Sequence, residues 1–203
     1  EMNYLGPTSI SIVENTTFVQ VIDVDYLDKT ELSYQLLGDD HVHFNIDDYG
    51  QLSFKHDINF ESPIDDDLNN NYQVMVKVSD IKGESIEVEL SVSVIDVNEA
   101  PAILSANRVE VDENTQLSYL LEIFDPENDE LTVILSGDDK PHFQLIDGYL
   151  ELNQIPNFES PNDYNLDGEY SLTVSINDGE YQTNIDLIVV VVNQQEQAEV
   201  TGL

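Results

Sequence analysis

The side chains best placed to do chemistry in this chain are oxygen donors gathered in a few short stretches. Glu14, Glu61, Asp96, Asn98 and Glu99 lie in the first half, and Asp125, Glu127 and Asp178 in the second. Carboxylates and amide oxygens suit a hard divalent cation such as calcium, which takes about six to eight oxygens, several of them carboxylates. The stretch Asp96-Val97-Asn98-Glu99-Ala100-Pro101 sits near the midpoint of 203 residues and reads as an acidic joint. Other chemistries are poorly served. His41-Val42-His43 puts two imidazoles on one face of a strand, but the chain has no cysteine and no third ligand is placed nearby, so a turn-flanking role fits better than zinc. Paired carboxylates do glycosidase chemistry in other proteins, yet acids are so abundant here that nothing singles out one pair. The chain has no Gly-x-Ser-x-Gly, Cys-His pair or phosphate loop, and it reads as a protein that is not an enzyme.

Composition points the same way. There are 42 Asp plus Glu against 6 Lys plus Arg, a formal net charge of -36. Such a charge repels itself and favours bound cations or high salt. It excludes duplex nucleic acid, whose phosphates need clustered Lys and Arg, and disfavours an anionic membrane. Without cysteine there is no disulfide framework, and bound metal is the staple this composition suggests. The longest apolar run, Leu187 to Val192, suits a buried strand and is too short to cross a bilayer. The abrupt start at Glu1-Met2-Asn3, with no signal peptide, reads as a piece excised from a longer protein.

Positioning these oxygens requires a repeated scaffold. Glu14-Asn15-Thr16 recurs as Glu113-Asn114-Thr115, Gly38-Asp39-Asp40 as Gly137-Asp138-Asp139, and Asn59-Phe60-Glu61-Ser62-Pro63 as Asn157-Phe158-Glu159-Ser160-Pro161. So many matches in register make the chain two copies of one module, residues 1–98 and 99–203. Ile86, Val88, Leu90, Val92 and Val94 alternate with polar residues, as do Tyr72, Val74, Val76 and Val78, and Leu172, Val174 and Ile176. Period-two alternation with Gly, Asp and Asn turns gives an all-β fold: two tandem Greek-key β-sandwiches of about seven strands each. The candidate oxygens then fall at strand ends in matching positions.

These residues resemble the cadherin repeat in its bacterial cadherin-like form. The likeness is carried by Glu14-Asn15 and Glu113-Asn114, by Asp23-Val24-Asp25 and Asp125-Pro126-Glu127, and by Asn59-Phe60-Glu61 and Asn157-Phe158-Glu159. Asp80, Asp178 and the linker from Asp96 to Pro101 complete it. It covers nearly the whole chain, and the linker is specific. The resemblance implies calcium held at the joint by Glu14, Glu61, Asp96, Glu99, Asp125, Glu127 and Asp178, with Asn98 giving a backbone carbonyl. It implies an extracellular or cell-surface location, where calcium stiffens the joint for adhesion or spacing, with other surface proteins, like modules or polysaccharide as partners.

The second copy departs from that pattern at its end. Val192-Asn193-Gln194-Gln195-Glu196-Gln197 lacks the leading Asp and the paired acid, so Glu113 and Glu159 are expected to form only a half site. Asp23, Asp25 and Asp80 would serve a joint with a preceding repeat. Two further acidic loops, Asp65 to Asn70 and Asp163 to Gly168, approach a calcium-loop pattern, but Val174 stands where the bidentate Glu belongs, so they read as solvated turns. The alternative function is a calcium-dependent carbohydrate-binding accessory module, using Tyr4, Tyr26, Tyr49, Tyr149, Tyr164 or Tyr181. Those tyrosines are scattered, and tryptophan is absent.

Overall fold

The computed structural model describes residues 2–26 and 31–195. The chain divides into two compact units, Glu1–Val97 and Asn98–Leu203, each nearly all β. Among the described residues the first repeat has seven strands: β1 (Ser9–Val13), β2 (Phe18–Val21), β3 (Leu32–Leu37), β4 (Phe44–Ile46), β5 (Gln51–Phe54), β6 (Asn71–Asp80) and β7 (Ser85–Ile95). One sheet runs β1-β7-β6-β3 and the other β2-β5-β4. All pairs are antiparallel except β1 with β7, which run parallel from Ser9 beside Ser91 to Val13 beside Ile95.

The second repeat contains β8 (Ala102–Ile103), β9 (Arg108–Asp112), β10 (Ser118–Leu120), β11 (Ile123–Phe124), β12 (Thr132–Ser136), β13 (Phe143–Ile146), β14 (Tyr149–Leu152), β15 (Glu169–Asn177) and β16 (Gln182–Val192). Its sheets, β9-β16-β15-β12 and β10-β14-β13, copy those of the first, with β9 parallel to β16. The extra pair, β8 with β11, corresponds to the single bridge between Tyr4 and Val24 in the first repeat.

Alternation decides which face of each sheet is dry. Tyr72, Val74, Val76 and Val78 on β6, and Val88, Leu90, Val92 and Val94 on β7, are buried, while Gln73, Lys77, Glu87 and Glu89 point outward. Phe44, Leu52 and Phe54 close the core from the facing sheet, with Phe54 edge-on to Tyr72 at 4.9 Å between ring centres. Burying each such side chain contributes about 1.5–3 kcal/mol. Tyr170, Leu172, Val174 and Ile176, with Leu187, Val189 and Val191, do the same in the second repeat.

The repeated Gly-Asp-Asp motif has a structural role in each sandwich. Gly38 and Gly137 have φ of 94° and 106°, and a Cβ there would meet the backbone of β6 or β15 at 3.2 and 3.1 Å. The second aspartate, Asp40 or Asp139, is buried. Asp40 accepts the N–H of Asp66 (2.9 Å) and of Gln73 (2.7 Å), and Asp139 accepts those of Tyr164 (2.6 Å) and Ser171 (2.8 Å). Among the described residues no helix is long and apolar enough to cross a membrane.

Candidate metal centre

Because β1 and β7 end side by side, Glu14 and Asp96 leave the first sheet together. Glu14 donates its N–H to the Ile95 carbonyl at 3.1 Å. Asn15 then turns the chain with φ of 59°, a conformation Asn tolerates better than most residues, and its N–H reaches the Ile58 carbonyl at 2.7 Å. This accounts for the Glu-Asn pairing of the motif. The Glu14 carboxylate is 1% exposed and accepts the N–H groups of Phe60 and Val97, each at 2.9 Å. It therefore ties together the end of β1, the loop carrying Asn59-Phe60-Glu61 and the chain leaving β7. Glu61 and Asp96 are exposed, and a Glu61 oxygen approaches one of Glu14 and one of Asp96 to within 4.8 Å. Three carboxylates thus gather at one end of the first repeat.

In the second repeat the other predicted oxygens lie on the turn after β11, the hairpin between β15 and β16, and the entering chain. Asp125 is buried. Its Oδ1 accepts the Asp129 N–H at 2.9 Å and its carbonyl that of Asn128 at 3.2 Å, with Asn128 at φ of 60°. Glu127 Oε2 accepts the Glu99 N–H at 3.3 Å. Asp125 Oδ2 and Glu127 Oε1 are buried and have no hydrogen-bond partner among the described residues. Buried carboxylate oxygens are normally satisfied, so these two stand out. Asp178 accepts the N–H groups of Glu180 (2.7 Å) and Tyr181 (2.6 Å) and the Asn98 side-chain amide (3.1 Å). Desolvation raises its proton affinity, but those donors outweigh it and hold the carboxyl below the usual aspartate range.

The remaining acidic stretches behave differently. Glu113 repeats the Glu14 arrangement, accepting the N–H groups of Gln194 (2.7 Å) and Phe158 (3.1 Å), which keep it below the ordinary glutamate range. Glu159 accepts the Asn193 amide. Glu196 and Gln197, the end of the altered linker, lie outside the described residues. Asp80 accepts the Tyr26 hydroxyl at 2.6 Å and the N–H groups of Lys82 and Glu84. This holds Asp80 low and pushes Tyr26 up to about 12. Sequence reasoning placed Asp80 in a half site and missed the tyrosine three residues after Asp23. In the loop from Asp65 to Asn70, buried Asp65 accepts the N–H groups of Asn69 (2.8 Å) and Asn70 (3.2 Å). In the loop from Asp163 to Gly168, buried Asp163 accepts those of Asp167 and Gly168, each at 2.9 Å. Both lead aspartates are turn-forming acceptors.

Residues 98–191 match the family described as the bacterial Ig domain. The Fat-like cadherin-related tumor suppressor homolog of Drosophila melanogaster is 27% identical over 92% of this chain. Both repeats have a cadherin-like fold. The chain spans 4% of the length of that Drosophila relative. Among solved structures, the human desmocollin-1 ectodomain superposes on these cadherin-like repeats with a TM-score of 0.58 at 17% identity, covering 95% of this chain and 41% of its own. A human protocadherin-24 EC1-2 fragment gives 0.54 at 18% identity, with 96% and 99% covered. At such identities the likeness is one of fold.

Proposed function

We propose that these cadherin-like repeats form a calcium-stiffened segment of an extracellular or cell-surface protein, acting in adhesion or as a spacer. Glu14, Glu61 and Asp96 of the first repeat and Glu99, Asp125, Glu127 and Asp178 of the second would hold the ion or ions, with the backbone carbonyl of Asn98. When bound, calcium supplies positive charge and a demand for several oxygens at once. The observation that carries the reading is the pair of buried, unpartnered oxygens, Asp125 Oδ2 and Glu127 Oε1. A donor set made only of oxygen fits a hard cation, and the three carboxylates gathered in the first repeat repel one another until positive charge reaches them. Glu14 has the positioning task, since its hydrogen bonds fix the loop of Glu61 and the start of the linker. Partners would be other surface proteins, like modules or polysaccharide.

A second reading, polysaccharide binding, is favoured by one observation. A cleft of about 460 Å³ in the second repeat is lined by Asp138, Asn165, Asp167 and the exposed Tyr164. The corresponding cleft in the first repeat is about 200 Å³ and has no aromatic lining, because Asp66 stands where Tyr164 does.

Small-angle scattering and thermal melting, each with calcium and then with chelator, test the first reading. Calcium is expected to raise the melting temperature and narrow the range of interdomain shapes, and Asp96→Ala with Glu99→Ala to abolish both responses. If neither observable responds to calcium in the natural sequence, the reading fails. Tight retention on one polysaccharide in calcium, lost in chelator, would favour the second reading instead.

A further inference from the structure

The outgoing end of each repeat, where the parallel strand pair leaves its sheet, is built around the same buried glutamate. Glu14 and Glu113 are both buried and both accept two N–H groups, from Phe60 and Val97 in one case and Phe158 and Gln194 in the other. Glu61 and Glu159 follow in the same motif. The residue after the last strand then differs. In the first repeat it is Asp96, whose carboxylate lies within 4.8 Å of that of Glu61. In the second it is Asn193, reached one step after Val192, and its Nδ2 donates to Glu159 Oε1 at 3.0 Å. Gln194, standing where Val97 does, adds a bond from Nε2 to Asp112 Oδ1 at 2.6 Å.

The geometry points to Asn193 as the residue that gives Glu159 an uncharged donor partner inside the second repeat, where the first repeat sets Asp96 against Glu61. Two neighbouring carboxylates are acceptors only, so they repel unless a cation or proton lies between them. An amide in place of one carboxylate is a donor, and it satisfies the other with no added charge. The choice between Asp and Asn at this position therefore sets how strongly the carboxylate of the Asn-Phe-Glu motif beside it depends on metal. This deepens the calcium reading and rests on it only for the first repeat; the amide's own effect is measurable without metal.

The test exchanges the two residues in the full chain, as Asn193→Asp and Asp96→Asn, and melts each variant in chelator and in millimolar calcium. In chelator, Asn193→Asp is expected to lower the melting temperature by about 4 °C, and Asp96→Asn to raise it by a similar amount. Calcium should reverse much of the loss in Asn193→Asp and leave Asp96→Asn unmoved. Asn193→Asp melting like the natural sequence in chelator would overturn the inference. Should that variant fail to fold, seen as fast amide exchange throughout β15, Asn193→Ala decides. A drop in its melting temperature with faster exchange at Phe158 and Gln194 supports the inference, and no change refutes it. If the chelator shifts appear while the natural sequence ignores calcium, the role of Asn193 stands and the calcium reading falls.

Discussion

Tyr26 and Asp80 show how one hydroxyl changes an acidic site. The Tyr26 O–H donates to Asp80 at 2.6 Å, and losing that proton would place two negative charges in contact. Tyrosine ionisation is accordingly pushed up from 10.0 to about 12. A group whose affinity for its proton is higher folded than unfolded contributes stability that is complete below about pH 10 and is lost as pH climbs toward 12. Carbon NMR of labelled tyrosine should find an ionisation near pH 12 that vanishes in Tyr26→Phe. Persistence of that ionisation in the variant would assign it to another ring. Neither partner was legible as a pair, because 54 positions separate them and no local pattern links a tyrosine after β2 to an aspartate ending β6. Glu14 was legible as an acid in a repeated motif. Its burial, and its double duty as acceptor for Phe60 and Val97, were not.

At the scale of elements, the acidic loops before β6 and β15 are the informative case. Asp163-Tyr164-Asn165-Leu166-Asp167-Gly168 has the composition of a metal loop, and its lead aspartate is occupied by the N–H groups of Asp167 and Gly168. Leu166 and Gly168 take φ of 61° and 83°, as Leu68 and Asn70 take 57° and 63° in the first repeat. The loop is thus a backbone turn wound around a buried carboxylate. Asp163→Ala would leave both N–H groups without their acceptor and should cost about 3 kcal/mol in urea denaturation. The calcium response should be unchanged by the same substitution; a lost response would make this loop a ligand site. The reading as turns, drawn from the missing glutamate, agrees with these bonds. The partner loops around Asp40 and Asp139 went unread, although the recurrence of Gly-Asp-Asp in register was the signal that could have found them.

For the whole molecule, 42 acids against 6 Lys plus Arg make charge the dominant collective term. Screening falls to about 3 Å in range at 1 M salt, so sodium chloride alone should raise the melting temperature in chelator. Calcium at millimolar concentration, where its added ionic strength is small, should exceed the effect of equal ionic strength from sodium chloride. Equal effects would reduce calcium to a screening ion and remove the need for a specific site. Scanning calorimetry over the two salt series makes the comparison.

Sequence alone determined the parts that depend on period and repetition: two copies, alternating strands, buried Val and Leu rows, and oxygen donors at matching strand ends. Those features are local, because a strand's dry face follows from every second residue and a repeat from comparison with itself. Only the tertiary structure decided which acids are spent inside the protein. Glu14, Asp40, Asp65 and Asp163 look in the sequence like any of their many acidic neighbours, yet each is buried against particular backbone N–H groups. Asp125 Oδ2 and Glu127 Oε1 look the same and have no hydrogen-bond partner among the described residues. Whether a carboxylate meets a donor depends on segments far apart in the chain, and pairing at that distance has no signature in composition or spacing.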